Sequence, residues 1–260
     1  MYDYNIQENL KNSIRENNLE LFQTTWTTIN NNDKYTYLYG VKDEGRCLLS
    51  WAGITKNSSD IMKYLIDELG VYVDHQDGKS RTALSGAVEY GYEENVRFLL
   101  TRQANPNLQD YTGSTTLHVA AKNDCSDNIF QLLFAGGADI KLTDTNGSTA
   151  LHHAAKHSLN SMHSIIKYKG GIIDINQQNL EGETPLHYAA EAEDNGINAG
   201  YLLRLGANST IQSNNEKTAV QMELDWSGES TISNVIFGYR GETDHEAYYE
   251  SQLELLGEGL

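Results

Sequence analysis

Apolar positions in this chain fall into short helical stripes separated by polar, glycine-bearing breaks. Ile6, Leu10 and Ile14 recur every four residues, and Leu19, Phe22, Trp26 and Ile29 form a second stripe beyond Asn17-Asn18. That spacing predicts two short helices joined by a turn. Further on, alanine-rich stretches such as "TLHVAAKN" (116–123) alternate with greasier ones: "NVRFLL" (95–100), "IFQLLF" (129–134) and "GYLLRL" (200–205). Small residues in the first kind let a neighbouring helix approach closely, and the second kind supplies the bulk of a core. Gly137-Ala138 and Gly206-Ala207 follow two of the greasy stretches, where a left-handed C-terminal cap is expected.

The pattern is periodic. "GSTTLHVAAKND" (113–124) returns as "GSTALHHAAKHS" (147–158), and aligning on the threonine gives Thr82, Thr115, Thr149, Thr184 and Thr218, with Cys47 in the same slot before them. Gly113, Gly147 and Gly182 each precede the threonine by two, where a tight turn wants positive φ. The threonine then reads as the N-cap of a short helix. Asp110, Asp144 and Asn179 open the turns. Extra residues in "DELGVYVD" (67–74) and "YKGGIIDIN" (168–176) are read as loop insertions.

The fullest unit, "EGETPLHYAA" (181–190), carries the T-P-L-H and A-A signature, and from about 42 to 224 the chain resembles the ankyrin-repeat family. The resemblance implies an all-α solenoid of stacked helix-turn-helix units with β-turn fingers, capped at both ends, as one domain. The expected organisation is a helical capping repeat plus a long tyrosine-rich finger over 1–41, the finger starting at Asn30, and five repeats over 42–211. These units lie at about 42–76, 77–109, 110–143, 144–178 and 179–212. A degenerate capping repeat (213–239) and an acidic tail (240–260) follow, the tail with a possible helix from Asp244 to Leu256.

Charge narrows the partners. The 36 acidic against 19 basic residues give a formal −17, which repels nucleic-acid phosphate and anionic membranes and suits a basic partner. Two cysteines make neither a disulfide framework nor a zinc cluster. "MYDYNIQENLKNS" has no basic start and no apolar run, so no secretory leader is expected, and no window reaches the length of a membrane span. The expected location is cytoplasmic. The alternative is delivery into a host-cell cytoplasm by a signal-peptide-independent route, which the acidic tail motivates.

Candidate chemistry is sparse. His118, His152 and His187 fall in three different units, so one metal ion with bonds of about 2 Å cannot gather them. The resemblance implies that they bond the backbone of a neighbouring turn. His153 and His157 are an i, i+4 pair without a carboxylate at metal-site spacing, and His153 is expected to pack partly buried between repeats. Cys47 reads as a buried stand-in for threonine. Cys125, in a turn between helices, is expected at the surface. No catalytic motif, cofactor fingerprint or metal site is assigned, and the chain is read as non-enzymatic and monomeric.

The resemblance implies binding of a partner protein through a concave face made of finger tips and exposed first-helix positions. Its candidates are Lys79, Arg81, Glu89, Tyr90, Tyr111, Thr112, Ser114, Lys122, Asn123, Asn146, Ser148, Lys156, His157, Leu180, Glu181, Glu183 and Glu191. Three other readings stay open. They are a type IV-secreted bacterial effector, an acidic inhibitor or immunity-type protein neutralising a basic partner, and an enzyme with a site grafted around Arg240, His245 and Glu246.

Overall fold

The computed structural model describes residues 4–39, 45–169, 173–192 and 196–227. These residues are all helices and turns, with one isolated bridge, Thr143–Thr149. The C-terminal stripe 232–239, the tail 240–260 and the grafted-site residues lie outside them, as does part of the 168–176 insertion. Where the sequence suggests one domain, the chain divides into two compact units, 1–120 with 128–139, and 121–127 with 140–260.

The first unit opens with α1 (Tyr4–Arg15), α2 (Leu19–Thr28), α3 (Asn31–Tyr39) and α4 (Leu48–Gly53). It continues with α5 (Ser59–Lys63), which runs on into one wider turn (Tyr64–Glu68), then α6 (Ala83–Glu89) and α7 (Glu93–Thr101). The division between units falls within α8 (Thr116–Lys122) and α9 (Asp127–Ala135). The second unit holds α10 (Ala150–His157), α11 (Leu159–Lys169), α12 (Pro185–Ala189), α13 (Ile197–Arg204) and α14 (Ala219–Ser227).

First helices pack on first helices and second on second. In the first unit α4 lies on α6, and α5 on both α2 and α7; in the second, α10 lies on α12, α12 on α14, and α11 on α13. Small residues set the first-helix spacing: a Cβ on Gly53 would stand 2.5 Å from the Ala83 carbonyl oxygen, and Ala52, Ala87, Ala154 and Ala189 are buried at the same seams. Ile61, Leu65, Leu99, Met162, Ile165 and Leu202 fill the second-helix layer, at roughly 1.5–3 kcal/mol for each fully buried side chain.

Two expectations change. Residues 31–39, assigned to a finger, form α3, because Asn30 starts the helix through its carbonyl, which accepts the Asp33 and Lys34 N–H groups at 2.9 and 3.2 Å, and because Tyr37 and Leu38 are buried. The extra residue near 67 sits in the helix rather than in the loop. The Leu69 N–H donates five residues back to the Tyr64 carbonyl at 3.0 Å, one π turn that absorbs the insertion before Gly70 reverses the chain at φ +67°.

Candidate protein-interaction face

The fingers share one plan. Asp77, Asp110, Asp144 and Asn179 each open one, and each donates its N–H to the carbonyl four residues on. Each side-chain Oδ1 accepts the N–H groups two and four residues on. The pairs are Lys79 and Arg81 at 2.8 and 2.9 Å, Thr112 and Ser114 at 2.8 and 3.0 Å, Asn146 and Ser148 at 2.9 and 3.0 Å, and Glu181 and Glu183, both at 2.9 Å. The residue three on from each opening residue is left-handed: Ser80, Gly113, Gly147 and Gly182. Successive fingers are tied by single main-chain bonds. Tyr111 N–H donates to the Lys79 carbonyl (3.2 Å) in the first unit, and Leu180 N–H to that of Asn146 (2.9 Å) in the second. With these backbone groups satisfied internally, a finger offers its partner side chains in fixed positions.

In the first unit Lys79, Glu89, Tyr90 and Tyr111 are exposed, Tyr90 by 50% and Tyr111 by 66%. Arg81 is half-buried and grips Asp77 Oδ2 with two nitrogens at 3.0 and 3.1 Å, so it braces its own finger. The Thr112 hydroxyl donates to Asp110 at 2.6 Å. In the second unit Asn123, Asn146, His157, Leu180 and Glu181 are exposed, Leu180 by 72%, while Lys122, Lys156, Glu183 and Glu191 are partly covered. Lys156 Nζ donates to Glu191 at 2.6 Å. Burial, then the charges of Lys156 and Lys122, hold the His157 imidazole below its usual pKa. Ser114 and Ser148 leave the candidate face. Both are buried, and the Ser148 hydroxyl is 2.8 Å from that of Tyr188, inside the finger.

Helix and finger lock together in the second unit through bonds that the repeat pattern alone does not show. His153 does more than pack: its Nε2–H donates to Asp144 Oδ2 at 2.8 Å. Burial pushes the Asp144 carboxyl up, yet the bonds from His153, Ser148 N–H and Asn146 N–H carry it below the usual range. Tyr188 takes the slot of His153 in the next repeat, and Asn179 Nδ2 donates to its hydroxyl at 3.3 Å and to Glu183 at 3.2 Å. Burial holds Glu183 above the usual glutamate range despite that bond.

The repeat histidines are joinery. His152 Nδ1 accepts the Thr149 N–H at 3.1 Å, which puts the ring proton on Nε2, and Nε2–H donates to the Glu183 carbonyl of the next finger at 3.1 Å. His187 repeats this with Thr184 (3.1 Å) and the Lys217 carbonyl (3.1 Å), and His118 Nδ1 accepts the Thr115 N–H at 3.2 Å. The cysteines offer no nucleophile. Cys47 caps α4, its Sγ accepting the Ser50 N–H at 3.3 Å, and burial raises its pKa. Cys125, expected at the surface, is buried, and that burial pushes its thiol up to about 12. No helix among the described residues is long and apolar enough to cross a membrane.

Repeated capped helix pairs with finger turns define an all-α tandem-repeat protein. A model of the ankyrin repeats matches residues 13–110 and 117–213, and the chain belongs to that family, whose repeats are protein–protein interaction modules. Neurogenic locus notch homolog protein 1 is similar over just over half of the chain, at 31% identity across 145 residues in Xenopus laevis and 32% across 144 in Homo sapiens. An ankyrin-repeat protein of Acanthamoeba polyphaga mimivirus is 26% identical over 222 residues, 80% of this chain. The chain spans only 6% of the Xenopus notch relative and 27% of the viral one. Among solved structures, the ankyrin-repeat domain of Bcl-3 superposes with a TM-score of 0.68 at 24% identity, covering 88% of this chain and 98% of that one. A chain of the complex between the Bdellovibrio bacteriovorus predatory endopeptidase Bd0816 and its immunity protein Bd3460 gives 0.61 at 24%, covering 73% and 96%.

Proposed function

We propose that the chain is a non-enzymatic module that binds a partner protein through its finger tips and the exposed ends of its first helices. One observation carries this reading. Tyr111 and Leu180, each the first residue after the residue opening its finger, are among the most exposed large apolar side chains of their units. A rigid, internally bonded turn that holds an apolar side chain in water suits an interface hot spot, because little ordering entropy is lost on contact.

The test is a pull-down with immobilised wild type beside Tyr111→Ala and Leu180→Ala. A hot spot contributes about 2 kcal/mol or more, roughly a thirtyfold change in affinity, so the specific prey should drop out of at least one variant. Prey recovered equally by all three would count against the reading. The formal −17 favours a basic partner, and an acidic inhibitor of a basic protein is the second reading. The resemblance of fold to a chain of an endopeptidase–immunity complex is compatible with it. Binding that weakens steeply between about 50 and 200 mM salt would support that reading, and salt-insensitive binding would remove it.

A further inference from the structure

The turn from α6 to α7 reads Glu89-Tyr90-Gly91-Tyr92-Glu93-Glu94. It is held tightly. Tyr90 N–H donates to the Gly86 carbonyl at 3.2 Å, Gly91 N–H to Val88 at 3.0 Å and Tyr92 N–H to Ala87 at 2.9 Å, with Gly91 at φ +69°. The turn stacks the Tyr90 and Tyr92 rings, 5.9 Å between centroids and 25° between planes. Tyr90, Glu89 and Glu94 are exposed, while Glu93 is half-buried and accepts a bond from Asn128 Nδ2 at 3.3 Å. Among the described residues no cation lies over either ring, although Arg102 sits 3.9 Å over Phe98 and Lys34 5.4 Å over Trp26 elsewhere in the same unit.

Helix electrostatics account for part of this turn. Glu93 and Glu94 occupy the first turn of α7, where negative charge is favoured. Glu89 is the last residue of α6, facing the negative end of that helix, where a carboxylate is disfavoured. Local stability therefore explains neither Glu89 nor the exposed Tyr90 ring, stacked on a half-buried Tyr92.

We propose that this turn receives an arginine side chain from a basic segment of the partner. The guanidinium would stack on the Tyr90 face, with Glu89 and Glu94 taking its N–H groups. The physical match is threefold. A tyrosine face attracts a cation, and arginine's planar, weakly hydrated group stacks and donates to carboxylates at once. The ring pair is already stacked, so little order is lost on binding. The chain's formal −17 draws basic segments towards it. This inference rests on the protein-binding reading and names the chemistry of the partner.

The experiment titrates the whole chain with acetyl-Gly-Arg-Gly-Arg-Gly-amide and with its citrulline counterpart, which keeps the shape and loses the charge. The readout is the Tyr90 and Tyr92 ring resonances by NMR. The arginine peptide should move both, and the citrulline peptide should bind at least about fivefold more weakly. Tyr90→Leu should weaken arginine-peptide binding roughly three- to fivefold, and Glu89→Gln should weaken it less. Tyr72→Leu, at another exposed tyrosine of the same unit, should leave it unchanged. Equal titration by the two peptides overturns the proposal, as does wild-type affinity in both Tyr90→Leu and Glu89→Gln. Glu89→Gln alters only an exposed side chain, so it keeps the test open if Tyr90→Leu fails to fold. A partner lost from Tyr111→Ala or Leu180→Ala, with no arginine-peptide binding at Tyr90, would sink this inference alone. Arginine-peptide binding at Tyr90, with prey unaffected in both finger variants, would sink the broader reading instead.

Discussion

Repeats in the middle of the chain and repeats towards its ends close their first helices with the same reciprocal cap, made from different side chains. At Thr149/His152 and Thr184/His187 the cap partner is an imidazole. At Thr82/Ser85 and Thr218/Gln221 it is a hydroxyl or an amide, while Cys47 caps α4 in the forward direction, its Sγ accepting the Ser50 N–H. Serine and glutamine return the bond to their own cap residue: Ser85 Oγ accepts the Thr82 N–H at 3.1 Å and Gln221 Oε1 the Thr218 N–H at 2.9 Å. Imidazole does that with Nδ1 and has a second nitrogen left over, on the far side of a rigid ring. His152 and His187 use it to hold the next finger's carbonyl. The end repeats are capped, whereas the repeats of His152 and His187 are capped and stitched. A capping box favours any short acceptor at its third position, and only histidine in that position couples one repeat to the next.

The largest expected effect follows directly. His152→Ala removes a fully buried side chain, leaves the Thr149 N–H without its imidazole acceptor and takes away one of the two bonds to the Glu183 carbonyl, the Asn179 N–H keeping the other. It should cost about 2–4 kcal/mol in urea unfolding. Ser85→Ala removes only a local cap and should cost about 1 kcal/mol. Equal costs would mean that the second nitrogen contributes nothing and that the two kinds of repeat are energetically alike.

Most of this scaffold is legible in the sequence because each repeat must solve the same local problem. The positive φ of Gly113, Gly147 and Gly182 follows from their places, and so does the capping role of the threonines. What was illegible lies where an element departs from the repeat. Asn30 looks like loop and starts α3, since burial of Tyr37 and Leu38 decides the matter and no local pattern shows it. The insertion near 67 becomes a π turn because Leu65 must stay in the core while the chain gains a residue. In the candidate face, slot numbering found the exposed Tyr111 and Leu180 but also included Ser114 and Ser148, whose hydroxyls face inward. Tyr92, whose ring stacks on Tyr90, stands outside those slots.

Stitching by a buried neutral imidazole also has a pH signature. Burial holds the His187 pKa below its ordinary value, against the raising effect of its bond to the Lys217 carbonyl. The unfolded chain then binds the proton more readily than the folded one. The stability that His187 contributes is complete above the ordinary histidine pKa of about 6.5 and is lost as pH falls towards the lower folded value. His75 and His157, also held low by burial, act in the same direction, so the informative quantity is a difference. His187→Gln should keep the cap, as Gln221 does in the last repeat, and should lose less stability than wild type between pH 7.5 and 5 in urea titrations. Parallel curves would remove His187 as the source. Asp144, held below the usual range, acts in a separate and more acidic window, its contribution disappearing as pH falls below about 4.

The smallest effect tests the comparison from the turn rather than the cap. The left-handed finger position is glycine at 113, 147 and 182, but serine at 80 (φ +57°) and glutamate at 216 (φ +60°). A side chain in that conformation costs roughly 1–2 kcal/mol, while glycine gives back about 0.4–1 kcal/mol through the freer unfolded chain. Ser80→Gly and Glu216→Gly should therefore each raise stability by about 0.5 kcal/mol, read as a small upward shift of the urea midpoint at unchanged slope. The sign is the informative part. A gain would show that the end repeats carry local strain which the glycine repeats avoid. A loss at position 80 would mean that the Ser80 backbone, whose N–H donates to the Asp77 carbonyl at 2.8 Å and whose carbonyl accepts from Gln76 Nε2 at 2.7 Å, is held so firmly by its own finger that the serine side chain adds order at no net cost.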